Sequence, residues 1–176
     1  MTRRDFYRIG TIVLGNIVAL TLAIPGVGYL LDPLRRKSKE GGFQKIAKLS
    51  QLNVGEPRSF AVIAERQDAW VKYPRAPVGS VWLVRQPSGS KPEVVAFTAE
   101  CPHLGCAVNL AGEGSSRSFL CPCHTSRFDL SGKPENTVPP RPMDTLEVQL
   151  STDPDPEVRV RFQRFRTQEK EKTALA

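Results

Sequence analysis

The chain has 176 residues and a formal net charge of +7, which allows one modest folded domain and leaves no room for two large ones. The charge is uneven: residues 1–48 carry +6, residues 49–156 carry −2 and residues 157–176 carry +3. A nucleic-acid-binding protein would hold its basic patch on the folded body, so no nucleic-acid partner is expected.

Residues 1–8 contain Thr2-Arg3-Arg4-Asp5-Phe6, which resembles a twin-arginine export signal, a receptor-read address. The alternative is a plain basic flank of a membrane helix. From Ile9 to Leu31 there is no charged residue. About 22 helical residues span roughly 33 Å, enough for a hydrocarbon core of ~30 Å. No A-x-A-like cleavage site follows, so residues 9–31 are expected to be a retained single-pass anchor in the lipid bilayer. Arg3, Arg4 and Arg8 precede it, but Arg35, Arg36, Lys37 and Lys39 follow. Charge alone therefore does not orient the anchor.

Residues 32–44 are polar, include Gly41-Gly42 and predict a flexible neck. Arg35 to Gln44 reaches at most about 35 Å when extended, and its cations suit anionic head groups. Residues 45–166 carry strand signals at Ser59–Ala64, Ser80–Arg85, Glu93–Thr98, Ser118–Leu120, Thr145–Leu150 and Val158–Phe162. In the last of these Val158, Val160 and Phe162 alternate with arginines, the pattern of a strand with one wet face. Gly and Pro clusters separate the runs, which predicts an all-β head, a small antiparallel domain with a smaller β unit inserted at about 99–134. Trp70 and Trp82 read as packing residues. Residues 167–176 are polar and expected to be disordered.

All four cysteines and both histidines fall in two boxes, Cys101-Pro-His103-Leu-Gly-Cys106 and Cys121-Pro-Cys123-His124. Thiolates favour zinc, copper(I) and iron–sulfur clusters, and imidazole suits zinc, copper and iron. Two Cys and two His could close a tetrahedral zinc site, although the first box offers neither C-x-x-C nor H-x-x-x-H. Two mixed pairs could instead divide by type between two iron atoms, one taking sulfurs and one taking nitrogens. A pair of structural disulfides is arithmetically open, but leaves the histidines' positions unexplained.

The stretch Glu100 to Asp129 resembles the Rieske iron–sulfur protein of cytochrome bc-type complexes, whose boxes read C-x-H-x-G-C and C-x-C-H-x-S. The resemblance covers about thirty residues and implies a Rieske-type β head carrying a [2Fe-2S] cluster. It implies Cys101 and Cys121 on one iron, His103 and His124 on the other, and a disulfide between Cys106 and Cys123. Rieske ferredoxins and ring-hydroxylating oxygenases share the ligands but lack that extra pair. Ser126 matches a serine that donates a hydrogen bond to a cluster sulfide, which raises the potential. Phe128 stands where many high-potential members carry a tyrosine, so one stabilising donor is absent and the potential should suit menaquinol. Thr125 replaces the usual glycine, a strained choice if φ is positive there. Thr137-Val-Pro-Pro-Arg-Pro142 resembles a proline-rich covering loop, without the usual G-P-x-P.

The function so implied is electron transfer in a quinol–cytochrome c reductase. Membrane quinol would be the donor, with cytochrome b and a c-type cytochrome as partner subunits. By resemblance, His124 faces the quinol and His103 shares the exposed surface beside it. The export signal and the disulfide, which persists in an oxidising compartment, imply a bacterial cytoplasmic membrane protein with its head on the outer side. Two alternatives remain at this stage: the small Rieske subunit of a molybdenum enzyme such as arsenite oxidase, and a zinc-stabilised binding module without redox chemistry.

Overall fold

The computed structural model describes residues 2–35, 42–68, 70–87, 89–90 and 93–175. They divide into two compact units, the first made of the N-terminal helix with Gln67–Val71 and the second of the remainder.

In the first unit, helix α1 runs Arg3–Arg35 without interruption. Thr2 starts it: its hydroxyl accepts from Asp5 N–H at 3.2 Å, while the Asp5 carboxylate accepts from Thr2 N–H at 3.1 Å. That reciprocal cap satisfies donors that no helical turn precedes. The helix is longer than the apolar run, because charged residues at either end are good helix formers and do not break it. Residues 32–35 of the expected neck are therefore helical, residues 43–44 belong to a strand, and residues 36–41 lie outside the described residues. The stretch Arg3–Leu34 has a mean hydropathy of 1.9 in its most apolar window, none of it buried in the protein, and is long and apolar enough to cross a membrane. Pro25 and Pro33 sit inside it, and each lacks the N–H that would bond four residues back. Tyr29 loses its donor to Pro33 in this way. Trp70 supplies another, its indole N–H reaching the Tyr29 carbonyl at 3.0 Å with the two rings stacked 5.1 Å apart.

The second unit is all-β. A six-stranded sheet has the order β1 (Phe43–Lys48), β9 (Glu157–Arg161), β8 (Thr145–Leu150), β4 (Val94–Thr98), β3 (Val71–Arg85) and β2 (Pro57–Asp68). A three-stranded sheet is formed by β5 (Asn109–Ala111), β6 (Ser118–Cys121) and β7 (Ser126–Phe128). The pairings β1–β9, β9–β8, β8–β4, β4–β3, β5–β6 and β6–β7 are all antiparallel.

Strand periodicity explains how one sheet serves two cores. Successive side chains on a strand point to opposite faces. Val81 and Leu83 of β3, with Val94 and Ala96 of β4, enter a core that also holds Val62, Leu146, Val158, Val160 and Phe162. Their neighbours Trp82, Val84, Val95 and Phe97 face the other way and pack with Cys101, Val108, Phe119, Cys121, Phe128 and Met143. The register Trp82↔Phe97 and Val84↔Val95 keeps each cross-strand pair on one face. Fully burying one such Val, Leu or Phe contributes about 1.5–3 kcal/mol. β3 and β4 are thus the wall between a structural core and the core beneath the boxes. Close approach requires glycine at positions 79 and 132, among others. A Cβ on Gly79 would lie 2.2 Å from the Phe162 ring, and Gly132, at φ +80°, would meet Phe97 at 2.6 Å.

Three strands escape the sequence patterns. β5 and β7 have three residues each, too few to display a period, and β1 mixes lysines into a weak alternation. β3 begins at Val71 rather than Ser80: residues 71–75 are exposed, and Pro74 between Tyr73 and Arg75 masks their strand character. The inserted β unit shares its core with Trp82, Phe97 and Met143, so it is not a separate body. The expected disordered tail is corrected outright. Phe165 is buried and bridges Ala174, Arg166 N–H reaches Thr173 O at 2.8 Å, and Leu175 N–H reaches Arg164 O at 2.8 Å. Polar composition misleads here because backbone groups, not apolar side chains, supply most of the fastening.

Candidate metal centre

Both boxes are loops springing from the strands that line the second core. Box one follows β4: the Glu100↔Ala107 bridge closes its base, and Cys101 N–H bonds Cys106 O at 2.8 Å. Inside it Gly105 N–H bonds Cys101 O at 2.8 Å. Box two is the turn between β6 and β7, with Cys121 directly opposite Ser126 in the ladder. These anchors bring Cys101, His103, Cys106, Cys121, Cys123, His124 and Ser126 together.

The cysteines separate into two kinds. Cys106 and Cys123 form a disulfide, with Cα atoms 6.5 Å apart, that ties loop to loop. Cys101 and Cys121 are free thiols, both buried. The sulfurs of Cys106, Cys121 and Cys123 lie within 4.8 Å of one another, but two of them are spent on the disulfide. Only Cys121 of that trio can offer a thiolate, and Cys101 is the second free sulfur. The imidazoles of His103 and His124 stand with ring centroids 4.9 Å apart and planes at 87°. His103 is half-buried and His124 exposed. The site therefore has a dry sulfur side and a wet nitrogen side.

Its electrostatics favour a negative sulfur once something neutralises the cost of burial. Burial pushes the Cys101 thiol up from its ordinary range, while the His103 backbone N–H and the Ser126 hydroxyl pull the other way. The neighbouring Cys121 adds to the upward push. Ser126 lies in the ladder with 0 % exposure, and its Oγ has no hydrogen-bond partner of good geometry. Its closeness to Cys101 favours the thiolate without completing a bond. A buried hydroxyl left unpaired costs about 1–3 kcal/mol, so this donor awaits an acceptor.

Box two is held in an uncommon conformation. Thr125 has φ +57°, the left-handed region that a β-branched residue adopts at a cost. Asn136 offsets it, donating to Thr125 O at 2.7 Å and accepting from Arg127 N–H at 3.3 Å. Asp129 braces the following turn by accepting from Ser131 N–H and Lys133 N–H, both at 2.9 Å. Burial raises its pKa, but those bonds and the Ser131 hydroxyl outweigh it and hold the carboxyl below the usual carboxylate range. Trp82 packs on Phe119 at 5.4 Å and donates to Val108 O at 2.9 Å, fastening the stretch after box one.

Residues 137–142 lead into Arg141 and Asp144, a buried ion pair with Arg141 Nε and Nη2 at 2.9 and 2.8 Å from the carboxylate. Neither Asn136 nor this pair was legible in the sequence: Asn136 acts on backbone groups well away along the chain, and the Arg141–Asp144 contact depends on burial that no residue pattern shows.

Comparison with known proteins supplies the family. Residues 42–149 match the Rieske [2Fe-2S] domain family. The chain is 27% identical over 152 residues to the menaquinol:cytochrome c reductase iron-sulfur subunit of Bacillus subtilis (strain 168), covering 85% of this chain and 87% of that protein. It is 26% identical to the cytochrome b6-f complex iron-sulfur subunit 2 of Nostoc sp. (strain PCC 7120), covering 87% and 82%. A chain of a hyperthermophilic respiratory Complex III aligns over 86% of this chain and 98% of its own, at 20% identity and a TM-score of 0.47. With more than half of the sequence matched, and both boxes inside the matched stretch closing on one another in space, the chain belongs to the Rieske [2Fe-2S] domain family.

Proposed function

We propose that the chain is the iron–sulfur subunit of a quinol:cytochrome c reductase. It takes an electron from membrane quinol and passes it to a c-type cytochrome, beside a cytochrome b subunit. The observation that carries this reading is the sorting of six ligand-type residues into three pairs. Two are buried free thiols, two are adjoining surface imidazoles, and two are joined as a disulfide. A [2Fe-2S] group fits that donor set, and the orphaned Ser126 hydroxyl gives it a ready donor.

On this reading Cys101 and Cys121 hold the cluster from the protein side, and His103 and His124 hold it from the solvent side. When bound, the cluster supplies a one-electron acceptor, whose potential neutral imidazoles raise above that of an all-thiolate centre. The chain's residues do the rest. The disulfide and the proline-rich loop at 137–142 restrict water. Exposed His124, engaged through one ring nitrogen, would present the other, once that nitrogen has lost its proton, to take a hydrogen bond from quinol and accept its proton. His103 shares that surface. Phe128, wholly buried, has no hydroxyl to offer a ligand sulfur, which supports menaquinol as donor. The names of the Bacillus subtilis and Geobacillus thermodenitrificans relatives support the same donor.

The head is proposed to lie outside the bacterial cytoplasmic membrane, single-pass through α1. Export through the twin-arginine route would carry it there already folded. The test is purification of the tagged full chain from its own membranes. A b-type haem protein and a c-type cytochrome should accompany it, and quinol should reduce the complex with His124 intact but not in His124→Ala. Recovery with a molybdopterin subunit instead would assign the chain to a molybdenum oxidase, and a colourless zinc protein would remove redox function.

A further inference from the structure

The C-terminal segment 164–175 does nothing in the chemistry above, yet several hydrogen bonds tie it to the head. On one side it is held by Arg141, whose guanidinium is buried at 6 % exposure. Nη1 donates to Glu169 O at 2.6 Å and Nη2 to Arg166 O at 2.7 Å, while Nε and Nη2 also grip Asp144. A carboxylate occupies only part of the five-donor fork, and the remaining donors go to the tail's backbone. Lys172 adds a second tie, donating to Thr145 O at 2.6 Å and lying 4.6 Å over the Phe165 ring.

On its other side the segment touches box one. Gln168 N–H donates to Pro102 O at 3.0 Å, and the Thr167 methyl lies over Gly105. Pro102 stands between Cys101 and His103. Gln168 makes this bond from φ +62°, a left-handed backbone that a non-glycine residue holds only when its surroundings fix it. A buried ion pair is weak support for stability by itself, but a fully satisfied polar network specifies one geometry. Here the geometry specified is the path of the tail across box one.

We propose that Arg141 and residues 164–175 form a strap that positions the 101–106 loop, and with it His103, through the Gln168–Pro102 bond. Arg141 and Gln168 are positioning residues in this account, which rests on His103 being a cluster ligand. Box two has its own brace in Asn136, so the strap acts on one half of the imidazole pair.

The test uses the full chain in detergent with three variants: removal of residues 167–176, Gln168→Pro, and Gln168→Gly. Removal and Gln168→Pro abolish the donated N–H, whereas Gln168→Gly keeps it and suits the positive φ. Hydrogen exchange at the Cys101 and Gly105 amides should quicken about tenfold or more in the first two and stay at the wild-type rate in the third. The paramagnetic resonance spectrum of the reduced protein should broaden in the same two variants only. A truncated chain that melts earlier but keeps loop exchange and spectrum unchanged would show a merely structural tail and overturn the proposal. Equal loosening in Gln168→Gly would overturn it too. Should the wild type lack a histidine-ligated signal, the ligand reading fails, while the exchange arm still decides whether the strap holds the loop.

Discussion

Ser126 and Phe128 show how much of the site rests on single atoms. They are the two inward residues of β7, both wholly buried, with Arg127 turned outward between them. One has a hydroxyl with no partner and the other sits where a hydroxyl would be useful. On the proposed ligand set, the Ser126 O–H stabilises the electron-rich reduced state. Ser126→Ala should therefore lower the midpoint potential by roughly 50–100 mV, the one-electron equivalent of a hydrogen bond worth about 1–2 kcal/mol. Phe128→Tyr should raise it by a comparable amount. Redox titration of the two variants checks both signs, and a raised value for the first or an unchanged one for the second would contradict the tuning argument. Asp129 gives a pH-dependent prediction. Its carboxyl is depressed, so its stabilising bonds are complete at neutral pH, weaken below the unfolded value of about 4 and vanish below the folded one. Asp129→Ala should cost about 1–2 kcal/mol at pH 7 and much less near pH 2, measured by denaturant melts at both.

At the level of elements, the disulfide links two loops that the cluster ligands would link as well. Its 17-residue separation is worth about 3 kcal/mol by loop entropy alone. Cys106→Ala with Cys123→Ala should therefore cost the cluster-free chain close to that, and the loaded chain markedly less. Chemical denaturation of both forms tests it, and equal losses would show that ligands and disulfide do not constrain the same loop. The boxes were readable because soft and borderline ligands at short spacings leave few chemical options. The pairing of Cys106 with Cys123 came from family resemblance, and the structure places both where the bond forms. Strands with a clean alternation, such as Glu157–Arg161, announced themselves. The three-residue β5 and β7 could not, and they are the strands that carry Ser126 and close the small sheet. The tail was misread for a different reason. Its order comes from backbone bonds and from Arg141 donating to carbonyls, and every sequence has the same backbone groups.

For the whole molecule, the central arrangement is a membrane-length helix joined in sequence to a head whose ligand-type residues are gathered in one place. The excess positive charge lies in the first 48 and last 20 residues, and residues 49–156 carry −2. On the proposed reading the ligand set makes the chain an electron carrier, and every functional step above depends on two imidazole nitrogens and two thiolates sharing one binuclear centre. Pulsed electron paramagnetic resonance of dithionite-reduced full-length protein, with histidine nitrogens labelled as ¹⁵N, measures that directly. The account predicts a reduced [2Fe-2S] signal with hyperfine coupling to two inequivalent histidine nitrogens, and loss of the centre in His103→Ala and in His124→Ala. A signal without nitrogen coupling, or one that survives either substitution unaltered, would contradict it.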